Sequence, residues 1–242
     1  MNRTDHFVQF YESDDFIVNS VAEYLFHGLK PNGNCICVAT SEHNQQILVN
    51  LDKFGIDLEK VLRDGTLVIR DARIALSSFM RNGFPDPEKF ERSIGTLVQT
   101  TLRRSGQLRI FGEMVSVLWN KENYEAAARL EDLWNKLIEK YDFSLFCAYP
   151  LRGFASSDSA EHVKRVCEGH SKTIPSEAYL SLTSAEERLR AVTYLQHRAE
   201  QLAAHRFAEQ KRHAVDRGRP DTAAAGRIEP YQHGDDEAGF DR

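Results

Sequence analysis

Residues 6–15 read His-Phe-Val-Gln-Phe-Tyr-Glu-Ser-Asp-Asp, HFVQFYESDD. The first six are nearly continuous in large apolar side chains, which suits a strand covered on both faces. Glu12-Ser13-Asp14-Asp15 then stops the strand and supplies helix-capping chemistry. Four further runs have the same character: Asn34 to Thr40 (NCICVAT), Thr66 to Arg70 (TLVIR), Gln107 to Phe111 (QLRIF) and Phe143 to Tyr149 (FSLFCAY). These are the five strand candidates.

Helical patterns fill the gaps. Ile17, Val21, Tyr24 and Leu25 form one stripe, ended near Gly28. Ile47, Leu51 and Phe54 form a second, closed by Gly55. Asp86-Pro87 is a cap followed by a first-turn proline, leading into Phe90, Ile94, Leu97 and Thr101 before Gly106. Ala127, Leu130, Trp134, Leu137 and Tyr141 give the cleanest helical period. Strand and helix alternating in this way predict an α/β fold: a mainly parallel sheet with helices on both faces, plus a helical extension.

After Pro150 the character changes. Residues 151–159 read as a loop and His162 to His170 as a short helix. Ser184 and Glu187 make a capping box. The helical pattern from there carries Val192, Leu195, Ala199 and Leu202, one heptad seam, which fits both a helix docked on the domain and a dimeric coiled coil. Residues 216–242 contain almost no aliphatic side chain larger than alanine and read as disordered. The expected parts are an α/β domain over 1–155, a connecting segment over 156–182, an amphipathic helix over 183–212 and a tail over 213–242.

Composition narrows the function classes. The 242 residues are 41% hydrophobic and 28% charged, too apolar for a disordered chain. A net charge of −5 argues against a broad electrostatic grip on nucleic acid or anionic lipid. No apolar run approaches the roughly 18 residues of a membrane span, and the start has no export signal. The four cysteines then read as reduced thiols of a cytoplasmic protein.

In an open parallel sheet, ligands bind outside the carboxyl ends of the strands. Those ends carry Tyr11-Glu12, Ser41-Glu42-His43, Asp71, Glu113 and Tyr149. A phosphate-binding protein would have a glycine-rich turn with a lysine after its first strand. Tyr11-Glu12-Ser13-Asp14-Asp15 is a poor nucleotide cradle instead, whether its acids serve a ligand or simply cap the helix.

At this level the chain resembles a known family. The carrying segments, in order, are HFVQFYESDD, GLKPNGNCICVATSEH, LDKFGIDLEKVLRDGTLVIRDA, LRIFGEMVSVLW, and LEDLWNKL with SLFCAYP. Over His6 to Phe154 they resemble the MEDS sensory domain of methanogen and methylotroph regulators of the DcmR type. That domain in turn looks like a degenerate relative of KaiC and RecA-type ATPases. By this comparison Glu42 sits where a catalytic glutamate would be, Glu113 falls at the Walker B acid, and YESDD replaces the P-loop. The resemblance implies a RecA-like fold turned from ATP to sensing a small organic molecule. Family members are often joined to DNA-binding or histidine-kinase modules, and CEGHSKTIPSEAYLSLTSAEERLRAVTYLQHRAEQL looks like the linker leading into such kinases. No helix-turn-helix or kinase domain is read here, so output is expected through an oligomer or a partner regulator.

Each candidate residue has a plain reading beside the functional one. His43 with Glu42 fits a ligand or proton site, but a first-turn helix residue facing solvent accounts for it too. Glu113 at a strand end would need a partner if buried. Tyr11, Tyr149 and Trp119 fit an apolar pocket lining or ordinary packing. Cys147 reads as a small buried hydrophobe. Cys167-x-x-His170 has ligand-like spacing, and a zinc site with Cys147 is conceivable, but no CxxC is present and Cys35 with Cys37 on one strand face suits no shared tetrahedral ion. His197, His205 and His213 read as a solvated helix face. No GxSxG, HExxH or kinase signature is present.

The expectation is therefore a non-enzymatic ligand-binding module without cofactor or metal, with Tyr11, Glu42, His43, Glu113 and Tyr149 as the ligand-site residues. Two alternatives stand beside it. One is a nucleotide-binding or phosphotransfer protein using Glu42 and Glu113 on magnesium. The other is a ligand-free interaction domain.

Overall fold

The computed structural model describes residues 5–29, 33–151 and 159–193. The first strand, β1 (His6–Tyr11), is buried along its whole length. Ser13 caps α1 (Asp14–Gly28) by accepting the Phe16 amide, and two aspartates occupy the first turn, as the helix dipole favours. Next come β2 (Asn34–Ala39), α2 (Ser41–Lys53), α3 (Leu58–Arg63) and β3 (Leu67–Asp71). A helix α4 (Ala72–Phe79) leads into a small hairpin, β4 (Met80–Arg81) and β5 (Phe84–Pro85). Then follow α5 (Pro87–Phe90), a π-helical turn over Glu91–Gly95, and α6 (Thr96–Ser105). The second half holds β6 (Leu108–Gly112), α7 (Met114–Trp119), α8 (Tyr124–Lys140) and β7 (Ser144–Pro150). Last are α9 (Ser159–Glu168), β8 (Lys172–Ile174) and α10 (Glu177–Leu180).

Six strands form one sheet in the order β3-β2-β6-β7-β1-β8, and every pairing in it is parallel. The period-2 alternation of the strands divides the core in two. Phe7, Cys35, Cys37, Phe111 and Phe146 face α1 and α2. Val8, Ile36, Val38, Ile110, Leu145 and Tyr149 face α4, α6, α7 and α8. All five strands expected from sequence are present, shifted at their ends by a residue or so. The result is the three-layer α/β architecture expected.

Three features depart from the sequence reading. Within the stretch 156–182, expected to connect, β8 joins the sheet: it pairs with the outer edge of β1, with Phe7, Val8 and Gln9 opposite Lys172, Thr173 and Ile174. Three residues are too few for any alternation to register. The hairpin β4–β5 was also not anticipated, although Asn82 (φ 50°) and Gly83 (φ 82°) are the two left-handed residues that a tight hairpin turn demands. The single helix expected after Asp86-Pro87 is interrupted by the π-helical turn, where the Ser93 hydroxyl donates to the Lys89 carbonyl.

Gly28 ends α1 for a different reason from the usual one. It is not left-handed, unlike Gly55 (φ 83°) and Gly106 (φ 70°). A Cβ there would lie 2.5 Å from Cys35 Sγ and 2.9 Å from Arg109 Cδ. Gly28→Ala is therefore expected to push α1 off the sheet and cost about 1–3 kcal/mol, read by chemical denaturation. A variant as stable as the parent would show that Cys35 and Arg109 yield freely.

The Ser184–Glu187 capping box forms as expected: Ser184 Oγ accepts the Glu187 amide at 3.1 Å, and Glu187 Oε2 accepts the Ser184 amide at 3.0 Å. Helix follows over 185–193. The rest of the helix expected over 183–212, with Leu195, Ala199, Leu202, His197 and His205, and the tail expected over 213–242, with His213, lie outside the described residues. Among the described residues no helix is long and apolar enough to cross a membrane.

Candidate functional site

Neighbouring strands β2 and β6 send their chains to opposite faces of the sheet. From β2 the chain enters α2, whose Ile47 and Leu51 pack on the α1 side. From β6 it enters α7, whose Met114 and Val115 pack on the other side. Two adjacent parallel strands that part in this way leave a crevice at their carboxyl ends, the usual ligand position of an open α/β sheet.

Glu113 and His43 meet there. Glu113 follows the last residue of β6, and its amide donates to the Val38 carbonyl of β2 at 2.8 Å, continuing the ladder by one step. Its side chain then reaches back to β2, where Oε2 accepts the Thr40 amide at 2.7 Å. The other oxygen, Oε1, lies 2.8 Å from Nδ1 of His43 in the first turn of α2. Thr40 caps that helix by accepting the His43 amide, which fixes the imidazole over the strand end. Nε2 of His43 faces the Asp14 carboxylate of α1 at 3.8 Å. The side chains are 6% exposed for Glu113 and 12% for His43, so the pair is largely dry with one wet edge.

Burial lowers the affinity of His43 for a proton, but the hydrogen bond and charge of Glu113, helped by Asp14 and Glu42, outweigh it and raise the pKa above the ordinary 6.5. The imidazolium is thus favoured in the folded protein relative to the unfolded chain. A raised folded pKa contributes stability that is complete below pH 6.5 and is lost as pH rises through the folded value. Unfolding free energy should therefore fall as pH rises above 6.5, and His43→Gln should remove that slope. An identical pH profile in the variant would contradict the pairing.

The other expected site residues are placed differently. Glu42 is exposed and pairs with Arg73 of α4 at 3.0 Å, turned away from Glu113. Tyr11 is buried on the α1 side of the sheet and Tyr149 on the opposite side, so they do not line one pocket. The reason is parity: Phe10 is opposite Tyr149 in the β1–β7 register, and Tyr11 is one residue on. Tyr149 donates its hydroxyl to Glu131 Oε1 at 2.7 Å. Trp119 stacks edge-on to Tyr149 and Tyr124 with ring centres 5.2 and 4.6 Å away, which is packing.

The first strand-to-helix turn has an occupant that the sequence did not disclose. The Glu12 and Ser13 amides donate to the two carboxylate oxygens of Glu177 in α10, at 3.0 and 2.7 Å. Ser176 Oγ adds a bond to Glu12 Oε1 at 3.0 Å. A side-chain carboxylate from the segment after β8 thus takes the amides to which a nucleotide-binding turn would offer a phosphate. The only sequence signal for this was an acidic residue beside a cap, a common feature with no address in it.

Sequence reasoning set Cys147 and His170 side by side only as conceivable ligands with Cys167, and missed the buried polar cluster that they form with His6 and Glu131 under the other face of the sheet. Its members come from β1, α8, β7 and the turn after α9, four places with no shared motif. A separate groove of about 280 Å³ lies on the α1 side, lined by residues such as Phe7, Tyr24, Arg109, Phe146 and Ile174, and shares no residue with the His43–Glu113 pair.

Among solved structures, the chain is similar to a KaiC-like protein from the hyperthermophilic archaeon Pyrococcus horikoshii OT3, at 14% identity and a TM-score of 0.43. The match covers 61% of this chain and 61% of that one. No curated protein matches. A family model does: MEthanogen/methylotroph, DcmR Sensory domain, over residues 5–165 of the 242. The chain, with its parallel α/β core and its acidic first turn, belongs to this family of MEDS sensory domains.

Proposed function

We propose that this sensory domain is a non-enzymatic receptor whose small organic ligand binds in the crevice at the carboxyl ends of β2 and β6. The observation that carries the reading is the largely dry His43–Glu113 pair, with its one wet edge, at the point where the two strands part. A protonated imidazole and a carboxylate with one wet edge can orient a small polar or polarisable group. A C1 compound, a halogenated compound or a hydrocarbon derivative with a single polar handle fits that combination.

The first turn supports a ligand other than a nucleotide. Its amides are bonded to Glu177, and its own acids would repel a triphosphate. Glu42 and Glu113 are engaged with different partners, Arg73 on one side and His43 with Thr40 on the other, which does not suit a shared magnesium ion. Signal output runs through the C-terminal helix to an oligomer or a partner regulator in the cytoplasm. A ligand that prefers one arrangement of that segment shifts the population toward it.

The test is a thermal-shift screen of the full chain against ATP and GTP with magnesium and against a panel of C1, halogenated and aromatic metabolites. Binding to the native state raises the melting temperature by mass action. A shift with an organic metabolite that Glu113→Gln abolishes supports the receptor. A magnesium-dependent shift with ATP overturns it in favour of nucleotide binding.

A further inference from the structure

The buried cluster of His6, Glu131, Cys147 and His170 has the donor set of a metal site. Its four ligand atoms lie within 4.8 Å of one another, and all four residues are buried. His6 Nε2 is 3.4 Å from Cys147 Sγ and 3.4 Å from Glu131 Oε2. Cys147 Sγ is 3.6 Å from Glu131 Oε2, and His170 Nε2 is 3.5 Å from Glu131 Oε1. Zinc takes nitrogen and oxygen at about 2.0 Å and sulfur at about 2.3 Å, so the edges of its tetrahedron run about 3.3–3.6 Å. The three separations among His6 Nε2, Cys147 Sγ and Glu131 Oε2 fall on those edges, and His170 Nε2 lies against the other carboxylate oxygen.

The outer hydrogen bonds set which ring nitrogens carry protons. His170 Nδ1 lies 2.6 Å from the Val166 carbonyl, which can only accept, so Nδ1 is the donor. His6 Nδ1 lies 2.8 Å from Asn135 Oδ1. The Asn135 amide is held in that orientation because its Nδ2 donates to the Gly169 carbonyl at 3.4 Å. In the neutral rings both Nε2 atoms are therefore lone pairs; that of His6 lies between the Cys147 sulfur and the Glu131 carboxylate, and that of His170 faces the carboxylate. Acceptor facing acceptor repels unless a proton or a metal ion stands between them. His170 Nε2 is fully buried and makes no hydrogen bond. An oxygen acceptor on the outer nitrogen of each histidine is also the support that metal-bound histidines generally have.

We infer that His6, Glu131, Cys147 and His170 form a binding site for a tetrahedral divalent metal ion of the zinc type. Two neutral imidazoles, one thiolate and one carboxylate balance the charge of such an ion, which offsets the cost of desolvating it in the core. On binding, the Cys147 thiol gives up its proton to solvent as the sulfur–metal bond forms. A crevice of about 30 Å³, lined in part by Asn135, Arg165, Val166 and Gly169, reaches Glu131 and His170 from the side of α9. The ion would join β1, β7 and α8 to the turn that precedes β8. It would thereby hold β8 on β1 and keep Glu177 over the first turn. Cys167, the neighbour with ligand-like spacing to His170, is not a member.

Cobalt is the probe, because its thiolate complex absorbs where neither protein nor free ion does. The full chain is stripped with a chelator, checked for folding by circular dichroism and titrated with cobalt, then with zinc. One equivalent of cobalt should give a thiolate charge-transfer band and the intense visible bands of a tetrahedral site, and zinc should erase both. Cys147→Ser should lose the charge-transfer band, whereas Cys167→Ser and Glu113→Gln should keep it. Asn135→Ala, which removes only the orienting bond, should weaken binding about 10–100-fold. Failure of the folded, stripped chain to bind cobalt overturns the site and leaves a proton-linked hydrogen-bond network. Binding that survives both Cys147→Ser and His170→Gln overturns it as well.

Discussion

Glu131→Ala is expected to destabilise the domain by about 3–5 kcal/mol, the range for removing one partner from a buried charged network. Glu131 sits on α8 and is 5% exposed. It accepts from Tyr149 at 2.7 Å and lies within 3.6 Å of His6, Cys147 and His170. Alanine leaves the buried Tyr149 hydroxyl and Cys147 thiol without their acceptor, removes the carboxylate that both imidazoles face, and opens a space against β7. For a domain of this size the loss corresponds to a melting temperature lower by roughly 6–20 °C. Glu131→Gln keeps the volume and one acceptor for Tyr149, so it should recover part of the loss. A change under about 1 kcal/mol in Glu131→Ala would mean that water replaces the carboxylate, and that the cluster is more open than its burial indicates.

The second large effect is at Glu113. Glu113→Ala removes the acceptor for the Thr40 amide and the charge beside His43, and is expected to cost about 2–4 kcal/mol. It should cost less than Glu131→Ala because His43 keeps a wet edge and can be rehydrated. The position differs from Glu131 in function too. Loss of Glu113 should abolish the ligand-induced thermal shift even where Glu113→Gln restores most of the stability. Equilibrium denaturation of both variants, beside the ligand titration, separates the two effects. If Glu113→Gln retained the ligand response, the crevice between β2 and β6 would not be the binding site.

The two carboxylates illustrate what can be read at each level. Glu113 was legible because it ends a strand, and the ends of parallel strands converge by construction. His43 was legible for the same reason, being four residues beyond Ala39 at the end of the neighbouring strand β2. Glu42 was singled out by the same logic and is exposed. It is adjacent to His43 on α2, and consecutive helical residues point about 100° apart, so only one of them can face the crevice. Tyr11 and Tyr149 were likewise placed at the correct end of the sheet but on opposite faces. That depends on the register of β1 against β7, and sequence spacing does not supply it.

Determined by the sequence itself are the five principal strands, the capped helices between them, the parallel α/β class and the acidic turn that stands where a phosphate loop would be. These follow from local alternation, caps and turn residues, which act over a few positions and are written in the order of the chain. The tertiary structure alone decided that β8 closes on β1, that Glu177 covers the first turn, and that His6, Glu131, Cys147 and His170 meet. Each of those joins residues far apart in sequence, His6 and Cys147 being 141 positions apart. The position of such partners is set by strand order and packing, and no local pattern carries it.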